Sequence, residues 1–87
     1  MYYVYILRSG NDGKFYVGMT GDLKRRMDEY RSGNVESTKS RRPLMLLCYE
    51  AYTYKSEAER RERFLKTSDG KKDLRKRLRE SLEVDNG

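Results

Sequence analysis

Two β-rich segments separated by a dense turn cluster constrain this chain more than any other feature. Tyr2-Tyr3-Val4-Tyr5-Ile6-Leu7-Arg8 is β-branched and aromatic, Ser9-Gly10-Asn11-Asp12-Gly13 is built of turn formers, and Lys14-Phe15-Tyr16-Val17-Gly18-Met19 returns to strand composition. That order predicts a hairpin, its second strand antiparallel to the first. Alternation along the first strand puts Tyr3 and Tyr5 on one face and Val4 and Ile6 on the other, so both faces need cover. With 87 residues, the chain has room for one small domain, which buries only about 60–65% of the surface its unfolded form exposes.

Beyond the hairpin, Thr20 or Asp22 is placed to cap a helix from about Leu23 to Ser32, with Leu23, Met27 and Tyr30 on one stripe, Arg26 at its border and Gly33 as its stop. Residues 34–42 are polar, basic and aperiodic, and read as a mobile loop closed by Pro43. Leu44 to Tyr52 is a near-continuous apolar run that suits the central strand of a small sheet. Ser56-Glu57-Ala58-Glu59 fits a capping box and opens a helix to about Thr67. Ser68-Asp69-Gly70 then breaks it and caps a third, basic helix carrying a Leu74, Leu78, Leu82 ridge. The order β-β-α-β-α-α predicts an α+β domain over residues 1–83, a three-stranded antiparallel or mixed sheet flanked by helices, with 84–87 as a frayed tail.

The longest apolar run falls far short of the roughly 18 residues that a membrane-spanning helix needs, and the start lacks a basic, apolar leader, so a soluble cytoplasmic protein without a membrane partner is expected. A lone Cys48 and the absence of His exclude an internal disulfide, a structural zinc site and histidine acid–base chemistry. Any metal would be a hard cation on carboxylate oxygen. Net charge is +6, and the excess is concentrated in residues 24–42 and 55–82. Such clusters suit phosphate backbones, although basic surfaces are also common on proteins that bind no nucleic acid.

Tyrosine, arginine and carboxylate remain as chemistry-bearing groups. Such a set is sufficient for phosphodiester cleavage: a phenol orients and deprotonates water, a guanidinium neutralises charge growing on phosphorus, and a carboxylate-held cation stabilises the leaving oxygen. Tyr5 and Tyr16 come from adjacent antiparallel strands, so their side chains could converge on one face of the sheet, yet tyrosine is also an ordinary strand residue that packs its ring. Arg26 has the alternative of lying along its stripe with the head in water. Glu62 falls mid-stripe between Ala58 and Leu65, where an unpaired carboxylate would be costly to bury, and Lys66 one turn on is an intrahelical partner.

Taken together, these positions resemble the GIY-YIG nuclease family over roughly residues 2–80. Tyr3-Val4-Tyr5 stands for the first motif and Tyr16-Val17-Gly18 for the second; Arg26 follows ten positions after Tyr16, and Glu62 lies in Arg60-Arg61-Glu62-Arg63-Phe64-Leu65-Lys66. Tyr3 replaces the first motif's glycine, and Tyr30 occupies a position where many members carry His and UvrC-like members carry Tyr. The resemblance implies Tyr16 or Tyr5 as base or water-positioning group, with Tyr30 a further catalytic tyrosine if it replaces that His. It further implies Arg26 as transition-state stabiliser and Glu62 as the ligand of one Mg²⁺ or Mn²⁺. A phenol ionises near pH 10, so a tyrosine base needs help from Arg26 or the metal.

The expectation is thus a metal-dependent endonuclease that cuts DNA by structure rather than sequence, with Lys24, Arg25, Lys39, Arg41, Arg42 and Lys66 contacting phosphates. Branched, flapped, nicked or single-stranded DNA suits a domain with no appended reader, and repair, recombination or processing suits such an activity. The competing readings are a non-catalytic nucleic-acid-binding module of the same fold, and an interaction domain using the leucine ridge.

Overall fold

The structure, a computed structural model, describes residues 1–86, with side chains through Glu83. The hairpin forms as its composition requires: β1 (Tyr2–Ser9) and β2 (Phe15–Thr20) pair antiparallel, Tyr5 opposite Gly18 and Leu7 opposite Tyr16. β3 (Leu44–Tyr52) pairs antiparallel with the other edge of β1, Tyr5 opposite Tyr49 and Val4 opposite Glu50, with a bulge between Ile6 and Leu7. The sheet order is therefore β2-β1-β3. This corrects the expectation that the apolar run 44–52 is central. β1 holds that place, with Val4, Tyr5, Ile6 and Leu7 all buried, while β3 is an edge strand with Met45, Leu46 and Tyr49 exposed.

Helices cover both faces. α1 (Leu23–Ser32) starts at Asp22, whose carboxylate accepts from the Arg25 amide, and ends at Gly33, whose left-handed φ of 79° lets its amide reach back to the last turn. Its Met27 and Tyr30 pack on Tyr5 and Leu7. On the opposite face, Ala58 and Leu65 of α2 (Lys55–Leu65) and Leu74 of α3 (Ser68–Arg77) close over Val4 and Ile6, all fully buried. Full burial of one such aliphatic side chain contributes roughly 1.5–3 kcal/mol. α4 (Arg79–Asn86) follows, separated from α3 at Leu78, which still packs against this core. The expected single third helix is thus two, and the fraying expected at 84–87 falls on residues whose side chains, and for Gly87 the backbone too, lie outside the described residues.

Two capping expectations change. α2 begins two residues earlier than the Ser56 box would place it, with Tyr54 in the cap position and no side-chain cap. α3 is capped by Thr67, whose Oγ1 accepts from the Gly70 amide at 3.1 Å, in place of Ser68 or Asp69. Gly70 is required there, because a Cβ would lie 2.6 Å from the Leu65 Cα, where the two helices meet. Glu50, on the edge strand, ties both helices to the sheet: Arg61 donates to it through two nitrogens at 2.9 and 3.1 Å, Arg77 at 3.1 Å and the Tyr52 hydroxyl at 2.6 Å.

The segment expected to be a mobile loop is ordered by contacts. Residues Glu36–Arg41 form a 3-10 helix. Ser9 Oγ donates to the Arg41 carbonyl at 2.6 Å, Asn11 Nδ2 to the Ser40 carbonyl at 2.8 Å, and the Gly10 amide to the Pro43 carbonyl at 2.7 Å. The turn residues of the hairpin thus hold the α1–β3 connection.

Candidate active site

One face of the sheet carries two hydrogen-bonded clusters, both built on tyrosine. In the first, the Tyr5 side chain crosses from central β1 over β2 at Gly18, the position whose missing side chain leaves room for the ring. Its hydroxyl is 2.9 Å from that of Tyr30, and Arg26 Nε donates to it at 3.2 Å. Arg26 and Tyr30 are i and i+4 on α1, so the guanidinium also lies 5.1 Å from the Tyr30 ring centre, and its Nη1 pairs with Glu29 at 3.2 Å. The bond to Tyr5, reinforced by Glu29, makes the guanidinium harder still to deprotonate. Burial, with the Tyr5 hydrogen bond added, pushes the Tyr30 hydroxyl well above the ordinary tyrosine range. Tyr30 therefore acts as a neutral phenol at physiological pH.

In the second cluster, the Tyr16 hydroxyl donates to Asp12 Oδ2 at 3.0 Å and accepts from Arg41 Nε at 3.2 Å, while Arg41 and Asp12 pair at 3.2 Å. Asp12 is held below the usual carboxylate range, first by the Lys14 amide and then by Tyr16 and Ser9, the pull of Arg41 adding to them against partial burial. Sequence reasoning missed Asp12; its place in the turn cluster explains its backbone role but not its reach to Tyr16.

The structure separates the tyrosines by access. Tyr5 is 1% exposed, whereas Tyr16 is half-buried at the sheet edge. Arg26 is also half-buried, and lines a shallow hollow with Thr20, Gly21, Arg25 and Glu29. The expected phosphate-contacting residues divide as well. Lys24 and Arg25 are exposed on α1 and Lys39 is exposed on the 3-10 helix; Arg41 is engaged with Tyr16 and Asp12. Arg42 donates to the Lys39 and Arg31 carbonyls. Lys66 follows α2 and pairs with Glu62 at 3.2 Å.

Glu62 is not joined to either tyrosine cluster. It sits on α2, the helix packed on the other face of the sheet, and its ion pair is with Lys66. Among the described residues, no three His, Cys, Asp or Glu side chains gather into a metal cage. A half-buried single carboxylate nevertheless fits Mg²⁺ or Mn²⁺ of the kind that keeps most of its waters and takes its remaining oxygens from a substrate phosphate. No helix among the described residues is long and apolar enough to cross a membrane.

Fold and site define a small α+β domain that joins tyrosines of the sheet to arginines of the elements packed on it. The GIY-YIG catalytic domain is matched over residues 1–78, and the chain belongs to that family, a family of nucleases. It is 42% identical over 67 residues to a UPF0213 protein of Staphylococcus epidermidis, covering 76% of this chain and 80% of the relative. It is 39% identical over 75 residues to a UPF0213 protein of Staphylococcus aureus, covering 85% and 90%. The solution NMR structure of the UPF0213 protein BH0048 from Bacillus halodurans superposes with a TM-score of 0.55 at 37% identity, covering 85% of this chain and 82% of that one. These are small proteins of similar length, and the α+β fold with three antiparallel strands is shared with the solved one.

Proposed function

We propose that this protein is a divalent-metal-dependent endonuclease that hydrolyses DNA phosphodiesters by structure rather than sequence, in DNA repair, recombination or processing. The observation that carries this reading is Arg26: a guanidinium fixed by Tyr5 and Glu29 at 3.2 Å each, on a half-exposed side chain beside an open hollow. A cation so fixed is preorganised for charge that develops on a phosphoryl group, and needs no rearrangement when the reaction occurs.

Tyr16 orients the attacking water. Of the three candidate tyrosines it is the one at the sheet edge, and as its oxygen takes the water proton its own passes to Asp12 Oδ2, with Arg41 supplying positive charge beside that oxygen. Tyr5 and Tyr30 act by holding Arg26 in place. Glu62 is the residue that would hold Mg²⁺ or Mn²⁺ once released from Lys66. The metal, when bound, stabilises charge on the departing oxygen. Lys24, Arg25, Lys39, Arg41 and Arg42 bring the backbone to the face that carries Arg26, and Glu62 and Lys66, on and just after the helix packed against the far side of β2, meet it around that strand's free edge.

The test is cleavage of labelled single-stranded, duplex, nicked, flapped and branched DNA with Mg²⁺, Mn²⁺ or chelator, alongside Arg26→Ala and Glu62→Gln. Metal-dependent product from the wild type alone supports the assignment. Salt-sensitive binding without product on every substrate would replace it with a non-catalytic binding module.

A further inference from the structure

The face that carries the tyrosine clusters is only partly covered. A single ten-residue helix, α1, packs on it, over Tyr5 and Leu7, and leaves the β3 side of the sheet open. There Tyr49 is 52% and Leu46 39% exposed. Tyr3 and Tyr49 meet edge to face, with ring centres 5.9 Å apart and planes at 68°. Together with Leu23 and Met27 of α1, these residues wall a groove between the helix and the edge strand. Lys24 and Arg31 stand on its rim, Arg31 paired with Asp28 at 3.1 Å and Lys24 without an ion pair among the described residues. The acidic residue at the groove, Asp22, is committed to the Arg25 amide.

We propose that this groove is a nucleobase site, in which an unpaired base of the DNA strand stacks on Tyr49 while Lys24 and Arg31 hold the flanking phosphates. The inference rests on the nuclease reading, and it names the substrate class: DNA with at least one unpaired nucleotide next to the cleaved bond. Two features favour a nucleic-acid occupant over an apolar helix or a second copy. The exposed aromatic surface is bordered by cations in a chain of net charge +6, which disfavours self-association and attracts a polyanion. Edge-to-face packing against Tyr3 also steadies the exposed ring of Tyr49, the aromatic element that single-strand binding sites combine with a basic track. A base paired in a duplex presents no free face to it.

The experiment is fluorescence anisotropy with a short labelled oligothymidylate and an abasic oligomer of the same length, with full-length protein in chelator so that nothing is cut. The wild type is expected to prefer oligothymidylate, and Tyr49→Ala to weaken that binding about 5–150-fold, the range seen when a stacking aromatic is removed. Tyr49→Phe keeps the preference, and abasic binding is unchanged by either variant. With no Trp in the chain, tyrosine emission provides a readout free of mutation: it is quenched by oligothymidylate and not by the abasic oligomer. Equal affinity for the two oligomers, or full affinity in Tyr49→Ala, overturns the proposal. So does a dimer in sedimentation that Tyr49→Ala dissociates, since the groove would then belong to a second copy. Base-dependent binding without cleavage in metal would overturn the nuclease reading alone, and cleavage with base-independent binding would overturn the groove alone.

Discussion

The ring of Tyr5 lies where a side chain on Gly18 would stand. The two residues are directly opposite in the β1–β2 ladder, and a Cβ at Gly18 would run into the Tyr5 hydroxyl and ring carbons. The glycine is thus the condition for Tyr5 to cross the strand and reach Arg26 and Tyr30.

Gly18→Ala is expected to destabilise the protein by about 1–3 kcal/mol, the usual range for overpacking a close-fitted site. Urea denaturation measures it. In a Tyr5→Ala background the same change is expected to cost much less, because the ring it meets is gone; equal costs in both backgrounds would separate Gly18 from Tyr5.

Arg26→Ala is expected to lower the single-turnover cleavage rate about 100–1000-fold, as for loss of one preorganised transition-state donor, with DNA affinity nearly unchanged. Arg26→Lys should not restore the rate: an ammonium cannot meet Tyr5 and Glu29 through a planar fork while leaving a donor for substrate.

The ion pair between Glu62 and Lys66, 3.2 Å apart, competes with any cation for the same carboxylate. Lys66→Ala should therefore lower the Mg²⁺ concentration at half-maximal cleavage, while Glu62→Gln removes metal-dependent cleavage and spares DNA binding. A Mg²⁺ titration of the three proteins decides it. An unchanged midpoint in Lys66→Ala, or full turnover in Glu62→Gln, removes Glu62 from the metal site.

Acid stability should report on Glu50. Burial alone would raise its pKa, but hydrogen bonds from Arg61, Tyr52 and Arg77 outweigh that and hold the carboxyl below its ordinary value. Because the folded state binds this proton more weakly than the unfolded chain, the contribution is complete above the ordinary carboxylate range near 4.5 and fades as pH falls through the depressed folded value. Glu50→Gln is expected to lower stability at pH 7 by about 2 kcal/mol and to flatten the acid limb. Chemical denaturation between pH 7 and 3 compares the two curves.

Local signals in the sequence were sufficient for the elements that depend on near neighbours. α1 was legible from end to end because Asp22, the Leu23, Met27, Tyr30 stripe and Gly33 all lie within a dozen residues of one another. The hairpin was legible for the same reason. Strand order was not, since an apolar run such as Leu44–Tyr52 reports burial propensity and says nothing of which neighbour it pairs with. The role of Glu50 was invisible, because its partners come from α2 and α3, up to 27 residues away. In the site, spacing placed Arg26 beside the stripe that holds Tyr30 and strand parity set Tyr5 with Tyr16, but the bonds that join Tyr5 to Arg26 and Tyr30 depend on how α1 packs over the sheet and were not legible. Nor was the reach of Asp12 and Arg41 to Tyr16, because it depends on how residues 36–43 fold back over the hairpin.

That folding back has a thermodynamic consequence. With the connection already fastened through Ser9, Gly10 and Asn11, Arg41 and Arg42 are held in place before any nucleic acid arrives, and the entropy of ordering them is spent during folding instead of at encounter. Residues that look in the sequence like a flexible tether thus form a fixed cationic lip, and if this face receives DNA as proposed, loosening it at Ser9 would weaken capture without removing a single charge.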